Sequence, residues 1–366
     1  MDLKKIPHPS FFIDTQLTDT IRHFARDAEG LGRLHPQQLS IIYEQKWFNL
    51  FVPTSYGGLH LSLPEGLKIE ECLAWADGST GWTVTLCSGA NWFIGFLQKA
   101  IAEIVFNTNK VCLAGSGRAS GIAKIVGEDY EITGNWNYAT GTAHATGFTA
   151  NCMIEKDGEI IKNEDGSPMV SSFIFLREEV TIHENWNCLG MIATSSNGFE
   201  IKALRVKKNR RFEIDPNEAI LNSPVYQYPF LQFAEATLAV NSSGMAHRYF
   251  DLCEALVKER QERKDFNTPL NPLANLLGEA KIQMEGTREL FYHTAQLSWE
   301  EYINSKTCSS GTLKKVSKTS RELASKARHL VDELYPYCGL KAANPSTEMN
   351  RVWRNLHTVS QHPLLL

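Results

Sequence analysis

The chain has 366 residues, of which 43% are hydrophobic and 21% charged, with 25 Gly and 14 Pro. That balance supports a sizeable core and excludes disordered, collagen-like or disulfide-scaffold classes. With 37 Lys+Arg against 41 Asp+Glu the formal charge is −4, which gives no general attraction to a phosphate backbone, so no nucleic-acid partner is expected.

Near the N-terminus, Met1–Leu17 contains only a three-residue apolar run. This is too short for the apolar region of an export signal, and a cytoplasmic location is expected. The eight cysteines stand singly at 72, 87, 112, 152, 188, 253, 308 and 338. Without a closely spaced pair, the sequence suggests neither a zinc site nor a redox dithiol, and no metal ligand is assigned.

From Leu17 to Phe51 apolar residues recur at helical spacing, Leu17, Ile21, Phe24 and Ala25, then Leu39, Ile42, Tyr43 and Trp47 after Pro36. Two amphipathic helices follow from that period. Residues 64–76 repeat it after a turn at Pro53–Gly58, and Asp77 offers cap chemistry for the next segment. Gly78–Gln98 carries no charge, but its Ser, Thr, Gly, Asn and Gln are too many for a membrane span, which needs about 20 predominantly apolar residues. A buried helix is expected there, and no membrane partner.

Near Val111 the character changes to short β-branched and aromatic runs punctuated by Gly, Asn and Asp, which predicts a β-rich domain over about 111–215. From Pro229 onward the helical period returns, with Leu276, Ala280, Met284 and Phe291, and later Leu323, Ala327, Leu330 and Leu334, implying a bundle. The expected division is 1–110 helical, 111–215 barrel-like β, and 216–366 helical bundle, an α+β multidomain class.

Candidate chemistry is sparse. Gly115–Gly121 has GxGxxxG spacing between two strand-like runs, where a dinucleotide loop needs a helix N-terminus, so a tight turn is the plainer reading. The cluster Arg205, Lys207, Lys208, Arg210 and Arg211 reads as a solvated loop or as an anion site. In Gly134–Thr146, Trp136 and Tyr138 alternate with small residues before Thr140 and Gly141. Such a segment can pack an aromatic on a flat ring while Thr140 and the Gly141 amide bond its edge, or can be core and a turn. His357 and His362 near the end of the chain could move protons at neutral pH. Glu235 stands inside an apolar run and faces either a cavity or solvent.

These residues together resemble the acyl-CoA dehydrogenase superfamily, including its reduced-flavin monooxygenases. The likeness runs through Val52–Gly58, Ala76–Ser79, Gly134–Gly141 with His144 and Ala145, Trp186–Met191 with Ala193 and Thr194, and Arg351–Asn355. The resemblance implies a helical N-terminal domain, a middle β-domain and a C-terminal four-helix bundle, with flavin between the β-domain and the bundle and a homodimer or homotetramer as the assembly. It makes Tyr138 the aromatic beside the flavin, Thr140 and Gly141 cofactor-binding, and Arg263 part of an FAD-contacting element.

The resemblance also carries departures. The dehydrogenase glutamate falls at Pro363, nine residues beyond Arg354, whereas the adjacent His362 resembles the monooxygenase histidine. Arg263–Phe266 is followed by Asn267 without the glutamine that helps hold FAD, which leaves FAD, FMN or diffusible reduced flavin as the cofactor. The expected activity is therefore a reduced-flavin monooxygenation of a small organic substrate with His362 handling protons and a separate flavin reductase as partner. The alternatives are acyl-CoA dehydrogenation with Glu235 as base, and a family member without chemistry.

Overall fold

The computed structural model describes residues 5–108, 110–262 and 272–366. Six helices open the chain: α1 Thr15–His23, α2 Ala25–Leu31, α3 Pro36–Glu44, α4 Leu63–Ala76, α5 Gly78–Asn91 and α6 Lys99–Val105. Asp77 ends α4 and caps α5, its carboxylate accepting from the Thr80 N–H at 2.9 Å. The uncharged segment is indeed a buried helix: twelve of the fourteen α5 residues are buried. Lacking charge, it can be covered on nearly every face.

Eight strands follow: β1 Leu113–Val126, β2 Asp129–Ala139, β3 Gly147–Lys156, β4 Glu159–Ile160, β5 Val170–Leu176, β6 Thr181–His183, β7 Asn197–Val206 and β8 Arg211–Phe212. They form one sheet in the order β6-β7-β2-β1-β3-β5-β8, with β4 paired to β3. β1 and β3 run parallel and the other pairs are antiparallel. The sheet holds its own apolar cluster, with Trp136 stacked on Phe199 at 5.1 Å between centroids.

The turn expected at Gly115–Gly121 is replaced by one long strand with a register shift between Ser116 and Gly121. A Cβ at Gly115 would stand 2.2 Å from Thr149 Oγ1, and one at Gly121 would stand 2.1 Å from Trp136. The glycines therefore serve close strand packing, and the irregularity is a β-bulge.

The remaining helices are α7 Pro224–Gln227, α8 Phe230–Glu262, α9 Pro272–Ser305, α10 Ser310–Leu334, α11 Leu340–Ala343 and α12 Glu348–Val359. α8, α9, α10 and α12 make the C-terminal bundle, and α4 packs along α8. Between α4 and α9 lies a fully buried pair, Glu71 and Arg288, joined at 2.8 Å through both carboxylate oxygens. Among the described residues no helix is long and apolar enough to cross a membrane.

Candidate active site

A cavity of about 340 Å³ lies where α5, the sheet, the start of α8 and the C-terminal turn meet, at the lower end of the size range for small-molecule sites. Helix α5 contributes Thr85, Leu86, Gly89 and Ala90, and α8 contributes Phe230, Phe233, Ala234, Thr237 and Leu238. The α8 positions recur at intervals of three and four, one face of a helix.

The sheet supplies the polar side. Thr149 and Asn151 are two apart on β3 and so share a face, next to Ser116 of β1 and Ser172 of β5. Asn151 is fixed from both ends: its amide donates to the Gly117 carbonyl at 2.9 Å and its oxygen accepts from Ser172 at 2.7 Å. No aspartate or glutamate lines the cavity among the described residues.

Thr140 joins this wall through a chain of hydroxyls with a readable polarity. Thr194 donates to the Met191 carbonyl at 2.8 Å, and its oxygen lies 2.7 Å from the Ser196 hydroxyl, which lies 2.9 Å from that of Thr140. Each hydroxyl has one hydrogen. With the Thr194 hydrogen committed to Met191, Ser196 donates to Thr194 and Thr140 donates to Ser196. The Thr140 oxygen is thereby left as an acceptor at the cavity wall.

His362 also lines the cavity. Its Nδ1 accepts from the Leu364 N–H at 3.3 Å, which puts the proton of the neutral ring on Nε2. The ring meets Trp82 edge-on at 5.9 Å, and burial lowers its pKa below the ordinary 6.5. It is a neutral imidazole at neutral pH.

The other candidates are placed differently. Tyr138 is 63% exposed, adopts φ +65°, and sits beside Trp186 and Arg118, outside the cavity lining. The amide expected to bond a ligand edge at Gly141 instead donates to the Thr194 carbonyl at 2.9 Å, because φ +85° turns the chain back on itself. Trp136 is core, its indole N–H donating to the Asn151 carbonyl.

Glu235 is buried but rotated away from the cavity-facing positions of α8, and Arg321 of α10 donates to its Oε1 at 2.6 Å, while Oε2 is buried without a partner. Arg263 lies outside the described residues. The basic cluster is largely paired: Lys207 with Asp129, Lys208 with Glu128, Arg210 with Glu179 and Arg211 with Glu213. His357 is bound to Asp332 at 2.7 Å. The wall residues Thr149, Asn151 and Ser172 were not singled out in the sequence. Their alternation with apolar neighbours was the available signal.

Residues 236–365 match the family model described as acyl-CoA dehydrogenase, C-terminal domain. The chain is 25% identical over 370 residues to the oxygenase subunit HsaA of a flavin-dependent monooxygenase from Rhodococcus jostii, covering 94% of this chain and 92% of that protein. The C-terminal third of the chain thus matches the acyl-CoA dehydrogenase family, and nearly its whole length is similar to flavin-dependent monooxygenase oxygenase subunits. Its fold matches the HsaA monooxygenase from M. tuberculosis with a TM-score of 0.87 at 21% identity, over 96% of this chain and 93% of that one. It also matches XiaF from Streptomyces sp., solved in complex with FADH2 and glycerol, with a TM-score of 0.84 at 18% identity, over 96% and 89%. By its likeness to these flavin-dependent monooxygenases the protein is a flavin-dependent oxidoreductase.

Proposed function

We propose that this protein is the oxygenase component of a two-component monooxygenase, using reduced flavin from a separate reductase to insert one atom of dioxygen into a small organic substrate. The observation that carries the reading is the polarity of the cavity wall. Thr140 offers an acceptor, and among the described residues no carboxylate lines the cavity to remove a carbon-bound proton. Reduced flavin carries an N–H at N5 where oxidised flavin has a bare nitrogen, so an acceptor there favours the reduced form.

The residues fit such a ring. Thr140, Asn151 and Ser172 give a prearranged polar side, and Phe230, Phe233 and Leu86 an apolar one. When bound, reduced flavin supplies the electrons that activate dioxygen. The protein's own part is exclusion of water by the α5 and α8 side chains and presentation of the His362 Nε2–H, from which a neutral ring can donate a hydrogen bond. Acyl-CoA dehydrogenation through Glu235 requires that carboxylate at the substrate, whereas here it is held by Arg321.

Anaerobic titration with FAD, FMN and their reduced forms tests this, followed by single turnovers with oxygen and a panel of small phenols and indoles. Tighter binding of reduced flavin, weakened about fivefold in Thr140→Val while oxidised-flavin binding is little changed, is the expected result, since one hydrogen bond to a neutral donor contributes about 1 kcal/mol. Preferential binding of oxidised FAD together with its bleaching by an acyl-CoA would overturn the proposal.

A further inference from the structure

Three side chains far apart in the sequence meet behind the Thr140 wall. Cys87 comes from α5, Cys112 from the residue before β1, and His144 from the turn after β2. One ligand atom from each lies within 4.8 Å of the others. Both thiols are fully buried, and both ring nitrogens of His144 are buried without a hydrogen-bond partner. A buried polar atom left unpaired destabilises the fold, and this imidazole carries two.

The surroundings keep the cluster in place and leave it room. His144 stacks on Phe48, 5.5 Å between centroids and 17° between planes. A Cβ at Gly141 would fall 2.6 Å from Cys87 Sγ and 3.3 Å from His144 Nε2, so the glycine holds open the space that the thiol and the imidazole share.

We infer that Cys87, Cys112 and His144 form a binding site for a thiophilic divalent cation of the zinc type. Thiolate and imidazole donors select such ions over magnesium or calcium. Around a tetrahedral ion with bonds of about 2.3 Å to sulfur and 2.0 Å to nitrogen, donors stand roughly 3.4–3.8 Å apart. Side-chain movements of about an ångström close the observed cluster to that geometry.

Binding converts two thiols to thiolates and releases two protons, and the neutral imidazole keeps its charge unchanged. One divalent ion, two thiolates and an imidazole sum to zero charge, so the complex escapes the penalty of an isolated buried ion. The Thr140 carbonyl, which accepts from the Cys87 thiol at 3.6 Å, or a water fills the fourth position. The ion ties α5, the start of β1 and the turn after β2 together, and so braces the wall that carries Thr140. None of this depends on the proposed monooxygenase activity.

The test is titration of the full chain, stripped with chelator under reducing conditions, with Zn²⁺ and Co²⁺. One equivalent per chain is expected, with a near-ultraviolet thiolate-to-cobalt charge-transfer band, tetrahedral visible bands and about two protons released per ion. Cys112→Ser and His144→Asn each lower affinity at least tenfold, and Cys188→Ser does not. If the variants do not fold, the stoichiometry, cobalt spectrum and proton count of the unaltered chain decide the matter. Substoichiometric binding, a spectrum without charge transfer, unchanged affinity in both folded variants, or a Cys87–Cys112 disulfide in reduced preparations would each overturn the assignment.

Discussion

Substituting Glu71 by glutamine preserves shape and removes one charge from the fully buried pair it makes with Arg288. Glu71 accepts from Arg288 Nε and Nη2 at 2.8 Å each, from Ser243 at 2.5 Å and from Tyr292 at 2.7 Å, and Arg288 also donates to the Ile6 and Pro7 carbonyls. The amide presents an NH₂ where donors already converge, and the guanidinium keeps a charge with no ionised partner of equal burial. Breaking a buried pair from one side costs about 3–5 kcal/mol. Glu285 stands 3.9 Å from Arg288 and is 43% exposed, a partial substitute that places the cost near 3 kcal/mol. For a chain of this length an unfolding entropy of about 2.1 cal/mol/K per residue turns that into a melting-temperature drop of about 4 °C.

The same pair predicts a pH signature. Burial pushes the Glu71 carboxyl up, but the Arg288 charge and hydrogen bonds outweigh it and hold the pKa below the ordinary value. Its contribution is present above the unfolded carboxyl pKa of about 4.3 and disappears as pH falls through the folded one. The deficit of Glu71→Gln, followed by circular dichroism during thermal and urea unfolding, therefore shrinks toward acid pH. A double replacement, Glu71→Leu with Arg288→Met, recovers most of the loss because no charge is stranded. A deficit under 1 kcal/mol at pH 7, or one that grows below pH 4, would refute this reasoning.

His362, lowered below 6.5 by burial, stays neutral under conditions that protonate a free imidazole, so the acid limb of the turnover profile falls below pH 6.5 and vanishes in His362→Gln. Its stability contribution carries the same sign, present above 6.5 and lost as pH falls through the folded pKa, because the unfolded chain takes up the proton first. Gly141→Ala meets both a positive φ and the Cys87 sulfur at 2.6 Å, which together cost about 2–4 kcal/mol by thermal unfolding. Gly278→Ala on α9, where nothing lies within 4 Å of the new Cβ, instead adds about 0.5–1 kcal/mol.

The helical, β and helical segments were legible because their periods differ and α5 advertises its burial by lacking charge altogether. The site was legible only in part. His362 and Thr140, named through likeness of short motifs, both line the cavity, but nothing local disclosed that the Gly141 amide is consumed by Thr194. Glu235 stands off the lining for a geometrical reason: one residue along a helix turns a side chain by about 100°, so Ala234 faces the cavity while Glu235 meets Arg321. Cys87, Cys112 and His144 escaped because metal motifs are recognised by short spacings, whereas here α5, β1 and the β2 turn bring together residues 25 and 32 positions apart.

The charge inventory of the cavity constrains what can enter it. Its helical side comes from the uncharged α5 and the apolar face of α8, and its sheet side is hydroxyls and an amide. Nearby Glu70, fully buried with one oxygen bonded to Ser88, has its pKa raised well above its ordinary value by burial, which disfavours the charged form. His362, the one titratable group on the described lining, is uncharged at neutral pH. An anionic ligand would lose its hydration without meeting a countercharge, a difference of at least about 2–3 kcal/mol against an uncharged ligand of the same size. Phenol should therefore bind at least about thirtyfold more tightly than benzoate at pH 7.5, by competition against a turnover substrate or by calorimetry. As pH falls, benzoate should gain on phenol, with one proton taken up per ligand as either His362 or the carboxylate becomes protonated. Equal affinities at pH 7.5 without proton uptake would mean that a cation not on this wall reaches the cavity, and would remove the basis for expecting an uncharged substrate.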